Sequence, residues 1–117
     1  MDEAIIGEKG MLWIILKSYG KSAHGSEPQK GVNAIWKLID ALKKLEKLSF
    51  PSDNPFFTSS TLNLGEIKGG DSPNMVPSYA EATVDIRYPP PFTKEEILNT
   101  ISSHLPKGKF KLEVINE

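Results

Sequence analysis

Tyr79-Ala80-Glu81-Ala82-Thr83-Val84-Asp85-Ile86-Arg87 alternates without a break: Ala80, Ala82, Val84 and Ile86 point one way, and Tyr79, Glu81, Thr83, Asp85 and Arg87 the other. A period of two held over nine residues is the signature of a strand with one buried face. The opposite face is wet or functional. Upstream, Met11-Leu12-Trp13-Ile14-Ile15-Leu16 is apolar on both alternating faces and lies between Gly10 and Gly20. This predicts a strand over about 10–22 in the middle of a sheet, covered on both sides over part of its length.

Between these two strands the period changes. From Gly31 to Leu48, Ile35, Leu38, Leu42, Leu45 and Leu48 recur at steps of three and four, with Lys37, Asp40, Lys44 and Lys47 largely off the stripe, which predicts an amphipathic helix. Ser49 to Pro55, with two prolines and polar turn formers, reads as a loop. A second strand over about 57–67 alternates Leu62 and Leu64 with Thr61 and Asn63, and its Thr/Ser-rich start suits a sheet edge. Gly69-Gly70-Asp71-Ser72-Pro73-Asn74 is a turn cluster.

Downstream, Pro89-Pro90-Pro91 ends the third strand, and Thr93-Lys94-Glu95-Glu96 has capping-box spacing. The helix it opens carries Ile97, Leu98, Ile101 and Leu105 on one stripe and is closed by Pro106 and Gly108. Phe110, Leu112 and Val114 then alternate with Lys111 and Glu113 in a fourth strand over 109–115. The order βαββαβ most simply folds as a ferredoxin-like α+β sandwich: a four-stranded antiparallel sheet with both helices on one face. Strands one and three are expected at the centre, two and four at the edges. A single domain over residues 1–117 is expected, with its core at about 7–116.

Composition narrows the function classes. Fourteen basic and fifteen acidic residues in 117 leave a net charge of −1, which argues against a surface built for nucleic acid or anionic lipid. Cysteine is absent, so no disulfide, thiol nucleophile or thiolate metal site is open to the chain. Met11–Leu16 is far shorter than the ~20 apolar residues a membrane crossing needs. The opening Met1-Asp2-Glu3-Ala4-Ile5-Ile6 lacks the features of a secretory leader, so the expected setting is cytoplasmic.

Only two histidines are available for chemistry, His24 and His104. His104 falls near a helix end, where capping accounts for it, and Glu96 belongs to the capping box. No converging ligand set is evident, and no metal is assigned to the chain. Taken singly, His24 is a loop histidine, Arg87 a salt-bridge partner for Asp85 or Glu81, and Asn74 a turn former.

In combination these residues read differently. Gly20-Lys21-Ser22-Ala23-His24-Gly25-Ser26-Glu27-Pro28-Gln29-Lys30-Gly31-Val32-Asn33-Ala34, then Gly69-Gly70-Asp71-Ser72-Pro73-Asn74-Met75-Val76-Pro77, then Asp85-Ile86-Arg87 resembles the lid, or dimerisation, domain of a family of zinc-dependent amidohydrolases. That family includes acetylornithine deacetylase, succinyl-diaminopimelate desuccinylase, aminoacylase, glutamate carboxypeptidase and di- and tripeptidases. The resemblance runs from about Gly7 to the C-terminus. It implies the same βαββαβ order, and a pair of zinc (or cobalt) ions held by a separate catalytic domain whose motifs do not stand in this sequence.

By the resemblance, the chain is expected to be a lid apart from its catalytic domain, with Met1 an added residue, and to be inactive alone. The implied reaction is attack of metal-activated water on an amide or N-acyl bond. His24 would stabilise the oxyanion in trans, from a Gly-flanked loop free to swing in. Asn74 would bind substrate in trans, Arg87 would grip its carboxylate, and Gly69 and Gly70 would let the chain pass close to it. The implied partners are a second copy, joined through edge strand two (Thr58 to Thr61) and the first helix, and the chain's own catalytic domain; those of Ile35, Trp36 and Ile39 that project without a place in the core are expected at that interface. The alternative is a free-standing ferredoxin-like small-molecule-binding regulatory module. An RNA-recognition domain shares the topology but is disfavoured by charge and by the missing aromatic strand signature.

Overall fold

β1 (Gly10–Tyr19) and β5 (Tyr79–Tyr88) pair antiparallel along their whole lengths, with Gly10 opposite Tyr88 and Tyr19 opposite Tyr79. The computed structural model describes residues 10–48, 61–89 and 92–116. β3 (Thr61–Gly69) adds to the free side of β5 and β6 (Lys109–Asn116) to that of β1, so the sheet order is β3-β5-β1-β6 with every pairing antiparallel. The central and edge positions are those the strand patterns imply. Phe57 to Ser60 lie outside the described residues.

Both helices cover one face. α1 (Ala34–Glu46) contributes Ala34, Leu38, Ala41 and Leu45, and α2 (Lys94–His104) contributes Ile97 and Ile101. These pack on Leu12, Ile14 and Leu16 of β1 and on Ala80, Ala82, Val84 and Ile86 of β5 as one cluster. Each fully buried Leu, Ile or Val stabilises the fold by ~1.5–3 kcal/mol. Ser18 is the one polar residue buried on this face among the described residues, and its hydroxyl donates to the Ala34 carbonyl at 2.9 Å, tying β1 to the start of α1.

The helix ends follow local chemistry. The Thr93 hydroxyl accepts from the Glu96 N–H at 3.2 Å and the Glu96 carboxylate accepts from the Thr93 N–H at 2.9 Å, which completes the expected capping box. At the end of α2 the His104 ring meets the Thr100 carbonyl through Nδ1 at 2.8 Å, a terminal-turn contact of the kind anticipated. The N-cap of α1 is Asn33, whose side-chain oxygen accepts from the N–H groups of Ile35 and Trp36.

Two features differ from the expectations. Among the described residues strand one is fully buried on one side only: Leu12, Ile14 and Leu16 are buried, but Trp13 on the other face is 42% exposed. The β3–β5 register also shifts between Leu64 and Glu66, at Gly65. Leu62 and Leu64 lie opposite buried Ile86 and Val84, and strict alternation would next bring Glu66 to that face. The bulge resets the phase, so Ile67 lies opposite buried Ala82 and Glu66 opposite Thr83.

Candidate functional site

Past Tyr19 the chain leaves the sheet and returns on itself. The Gly20 N–H donates to the Ser78 carbonyl at 2.8 Å, and Lys21 and Val32 exchange two backbone bonds, each of 2.8 Å. Next come β2 (Ala23–His24) and β4 (Met75–Val76), which form a separate two-stranded ribbon with Ala23 opposite Val76 and His24 opposite Met75. The Gly25 N–H donates to the Asn74 carbonyl at 2.7 Å, and the Ala34 N–H to the Pro77 carbonyl at 3.0 Å. A Cβ at position 25 would stand 3.0 Å from that Asn74 oxygen, which is why glycine follows the histidine. His24 therefore stands on a fastened ribbon, where the sequence suggested a loop free to swing.

The ribbon sets Asn74 next to Met75, the residue opposite His24, with the Asn74 carbonyl held by the Gly25 N–H. Both side chains are exposed. The His24 Nδ1 lies 2.7 Å from the Ser26 hydroxyl and accepts from the Ser26 backbone N–H at 3.1 Å, leaving Nε2 for an outside partner. The Asn74 side-chain oxygen accepts from the Ser72 hydroxyl at 2.5 Å, which leaves its amide N–H groups as donors. Exposed donors of this kind can address an anionic or carbonyl group.

Gly69 and Gly70 lie at this same end, where β3 turns toward Asn74. A Cβ at Gly69 would come within 2.8 Å of the Ala80 Cβ opposite it, and Gly70 has φ +87°, so close strand packing requires the first glycine and the turn the second.

Arg87 is placed elsewhere. It pairs with Met11 and Thr61 in register, eight residues along β5 from Tyr79, roughly 26 Å away at about 3.3 Å per residue. Its guanidinium donates to both oxygens of Asp85, Nε to Oδ1 at 2.7 Å and Nη2 to Oδ2 at 3.1 Å. The hydrogen bonds from Arg87 hold the Asp85 carboxyl below its ordinary range, and Asp85 in turn raises the already high value of Arg87. The structure thus unites His24, Asn74, Gly69 and Gly70 at one end of the sheet and leaves Arg87 at the other.

Along the β3 edge, Ile39, Leu42, Lys43 and Glu46 of α1 face Leu62, Leu64 and Ile67 across a groove of 360 Å³. Leu64 is 45% exposed, Ile67 50% and Trp36 68%. Ile35, by contrast, packs against the core. Among the described residues no three His, Asp or Glu side chains converge as a metal site requires, and the donors gathered here are one imidazole and one amide. A metal pair does not fit the donors gathered among the described residues.

Ser26, Met75 and the Asn33 cap escaped the sequence reading. An Asn directly before the apolar stripe was a usable signal for the cap. A ribbon of two residues per strand is too short to leave a period.

A family model described as a peptidase dimerisation domain matches residues 6–112. An uncharacterized metallohydrolase of Methanocaldococcus jannaschii is 31% identical over 117 residues, spanning 91% of this chain and 27% of that protein. The acetylornithine deacetylase of Proteus mirabilis is 32% identical over 139 residues, spanning 99% of this chain and 36% of that one. The chain thus covers about a third of the length of these relatives. In structure it is similar to the aminopeptidase PepT of Bacillus cereus, with a TM-score of 0.70 at 21% identity over 94% of this chain and 31% of that one, a likeness of fold. With this sheet order, the helices on one face and the match spanning nearly its whole length, the chain belongs to the peptidase dimerisation domain family.

Proposed function

We propose that this chain is the dimerisation and substrate-capping domain of a metal-dependent amide hydrolase, a peptidase or N-acyl amino acid deacylase, and that it supplies His24 and Asn74 to the active site of a second subunit. The metal ions of that chemistry, zinc or cobalt, would be held by a catalytic domain and not by residues of this chain. In its role as a cap, His24 donates through Nε2 to the oxygen that gains negative charge as the amide is attacked, and Asn74 orients the substrate through its amide. A homodimer forms by addition of β3 to its twofold mate, with the α1 helices alongside.

The observation that carries the reading is the separation of Arg87 from the His24–Asn74 ribbon by most of the length of the sheet. One substrate of amino-acid size cannot span it. Service of two active sites from the two ends accounts for it: in this reading the Arg87 end works in the chain's own subunit and the ribbon in the partner's. The open β3 edge and its apolar groove suit a second copy, because they combine unpaired backbone groups with half-exposed Leu64 and Ile67.

Subunit mixing tests the trans assignment in the enzyme that carries this domain. His24→Ala and a variant inactivated in the catalytic domain are each expected to be inactive. Mixed in equal amounts they recover roughly a quarter of wild-type activity, since half the dimers are mixed and each completes one of two sites. No recovery on mixing, with subunit exchange confirmed, would place His24 in its own subunit's site.

A further inference from the structure

We propose that Ser26 is a positioning residue that holds the His24 imidazole in the neutral tautomer carrying its proton on Nε2. The inference rests on the reading of His24 as a donor to an oxyanion and names what makes it one. A backbone N–H can only donate, so the 3.1 Å contact from the Ser26 N–H requires Nδ1 to be the unprotonated, accepting nitrogen. The Ser26 hydroxyl, 2.7 Å from the same atom, can rotate its proton toward it. With two donors on Nδ1, the proton of a neutral ring is placed on Nε2, and an N–H faces outward from the ribbon. The other tautomer would turn a lone pair toward a developing negative charge and repel it. An imidazole left to exchange tautomers freely would be a donor only part of the time, so Ser26 supplies preorganisation.

The second histidine of the chain is an internal contrast. His104 has its Nδ1 at 2.8 Å from the Thr100 carbonyl, and a carbonyl can only accept, so His104 is assigned the opposite tautomer with its proton on Nδ1.

Two-bond proton–nitrogen NMR of the 117-residue chain, recorded above the titration range of both rings, reads the two tautomers in one spectrum. His24 is expected to show Nε2–H and His104 Nδ1–H. Ser26→Ala is expected to lower the ratio of the two His24 tautomers roughly three- to tenfold, the worth of one net hydrogen bond, with His104 unchanged. Ser26→Thr, which keeps the hydroxyl, restores the wild-type pattern. A wild-type His24 protonated at Nδ1, or a Ser26→Ala spectrum identical to wild type, overturns the proposal. So does an equal shift in the Ala and Thr variants, because the cause is then a rearranged loop. These outcomes are independent of turnover and are separable from failure of the trans assignment, which subunit mixing reads.

Discussion

At the scale of single residues, the open sheet face holds Asp85 and Arg87 as a pair in a defined geometry. Arg87 grips both oxygens of Asp85, and its hydrogen bonds are the main reason the Asp85 carboxyl titrates below the ordinary carboxylate value. For a depressed acid the sign is fixed: the interaction is fully present above the unfolded-state value and is lost as pH falls through the lower folded-state value. Both partners are partly exposed, so the expected effect concerns geometry rather than global stability. Carboxyl-detected NMR titration should find the Asp85 midpoint below that of an unpaired aspartate, and Arg87→Ala should return it upward. An unchanged midpoint in that variant would mean the pair does not persist in solution. In the proposed enzyme, a substrate carboxylate would have to compete with Asp85 for this guanidinium, which makes Asp85 the group that keeps Arg87 extended along the sheet until substrate arrives.

At the scale of elements, α1 owes its start to Asn33 and its position to Ser18 and Pro77. Asn33 satisfies two otherwise unpaired N–H groups, of Ile35 and Trp36. Asn33→Ala is expected to cost about 1 kcal/mol, seen as a lower urea midpoint with unchanged slope, whereas Asn33→Gly should cost only a few tenths. Equal losses in the two variants would show that the side-chain oxygen is not what stabilises the helix start. The same short stretch fastens the ribbon, since the Ala34 N–H donates to Pro77 and Val32 bonds Lys21. Helix start and histidine ribbon are therefore one mechanical unit.

The legibility of these elements differed for physical reasons. The capping box at Thr93 and Glu96 was readable because both partners lie within four residues and act through their own backbone. The β2–β4 ribbon was not, because its strands are two residues long and join segments fifty residues apart in sequence. The bulge at Gly65 could be seen only as a break between Leu64 and Ile67, and its meaning depends on the partner strand.

At the scale of the whole molecule, the β3 edge with its groove against α1 is an apolar surface left open. A stable interface should bury about 1,000 Å² or more, so a twofold mate would have to cover the β3 edge and its groove together. Ile67→Glu places a carboxylate opposite its own copy or its neighbours across the axis. It is expected to weaken self-association at least about tenfold by sedimentation equilibrium, because desolvating an unpaired charge costs several kcal/mol. Since Ile67 is half-exposed in the single chain, the unfolding midpoint of the monomer should change little. A dimer of undiminished affinity in this variant would move the interface elsewhere, to the Trp13 face of the sheet among others.

From sequence alone came the element order, the buried face of β5, the amphipathic stripe of α1, the capping box and the residues of the three motifs, because each is written in local periodicity or in contacts within a few positions. Tertiary structure alone decided that Asn74 adjoins the ribbon that carries His24, that Arg87 lies at the opposite end of the sheet, and that the β3 edge carries an apolar groove. These depend on strand pairing and register between distant segments, where one residue of shift moves a side chain to the other face, and no local pattern encodes that distance.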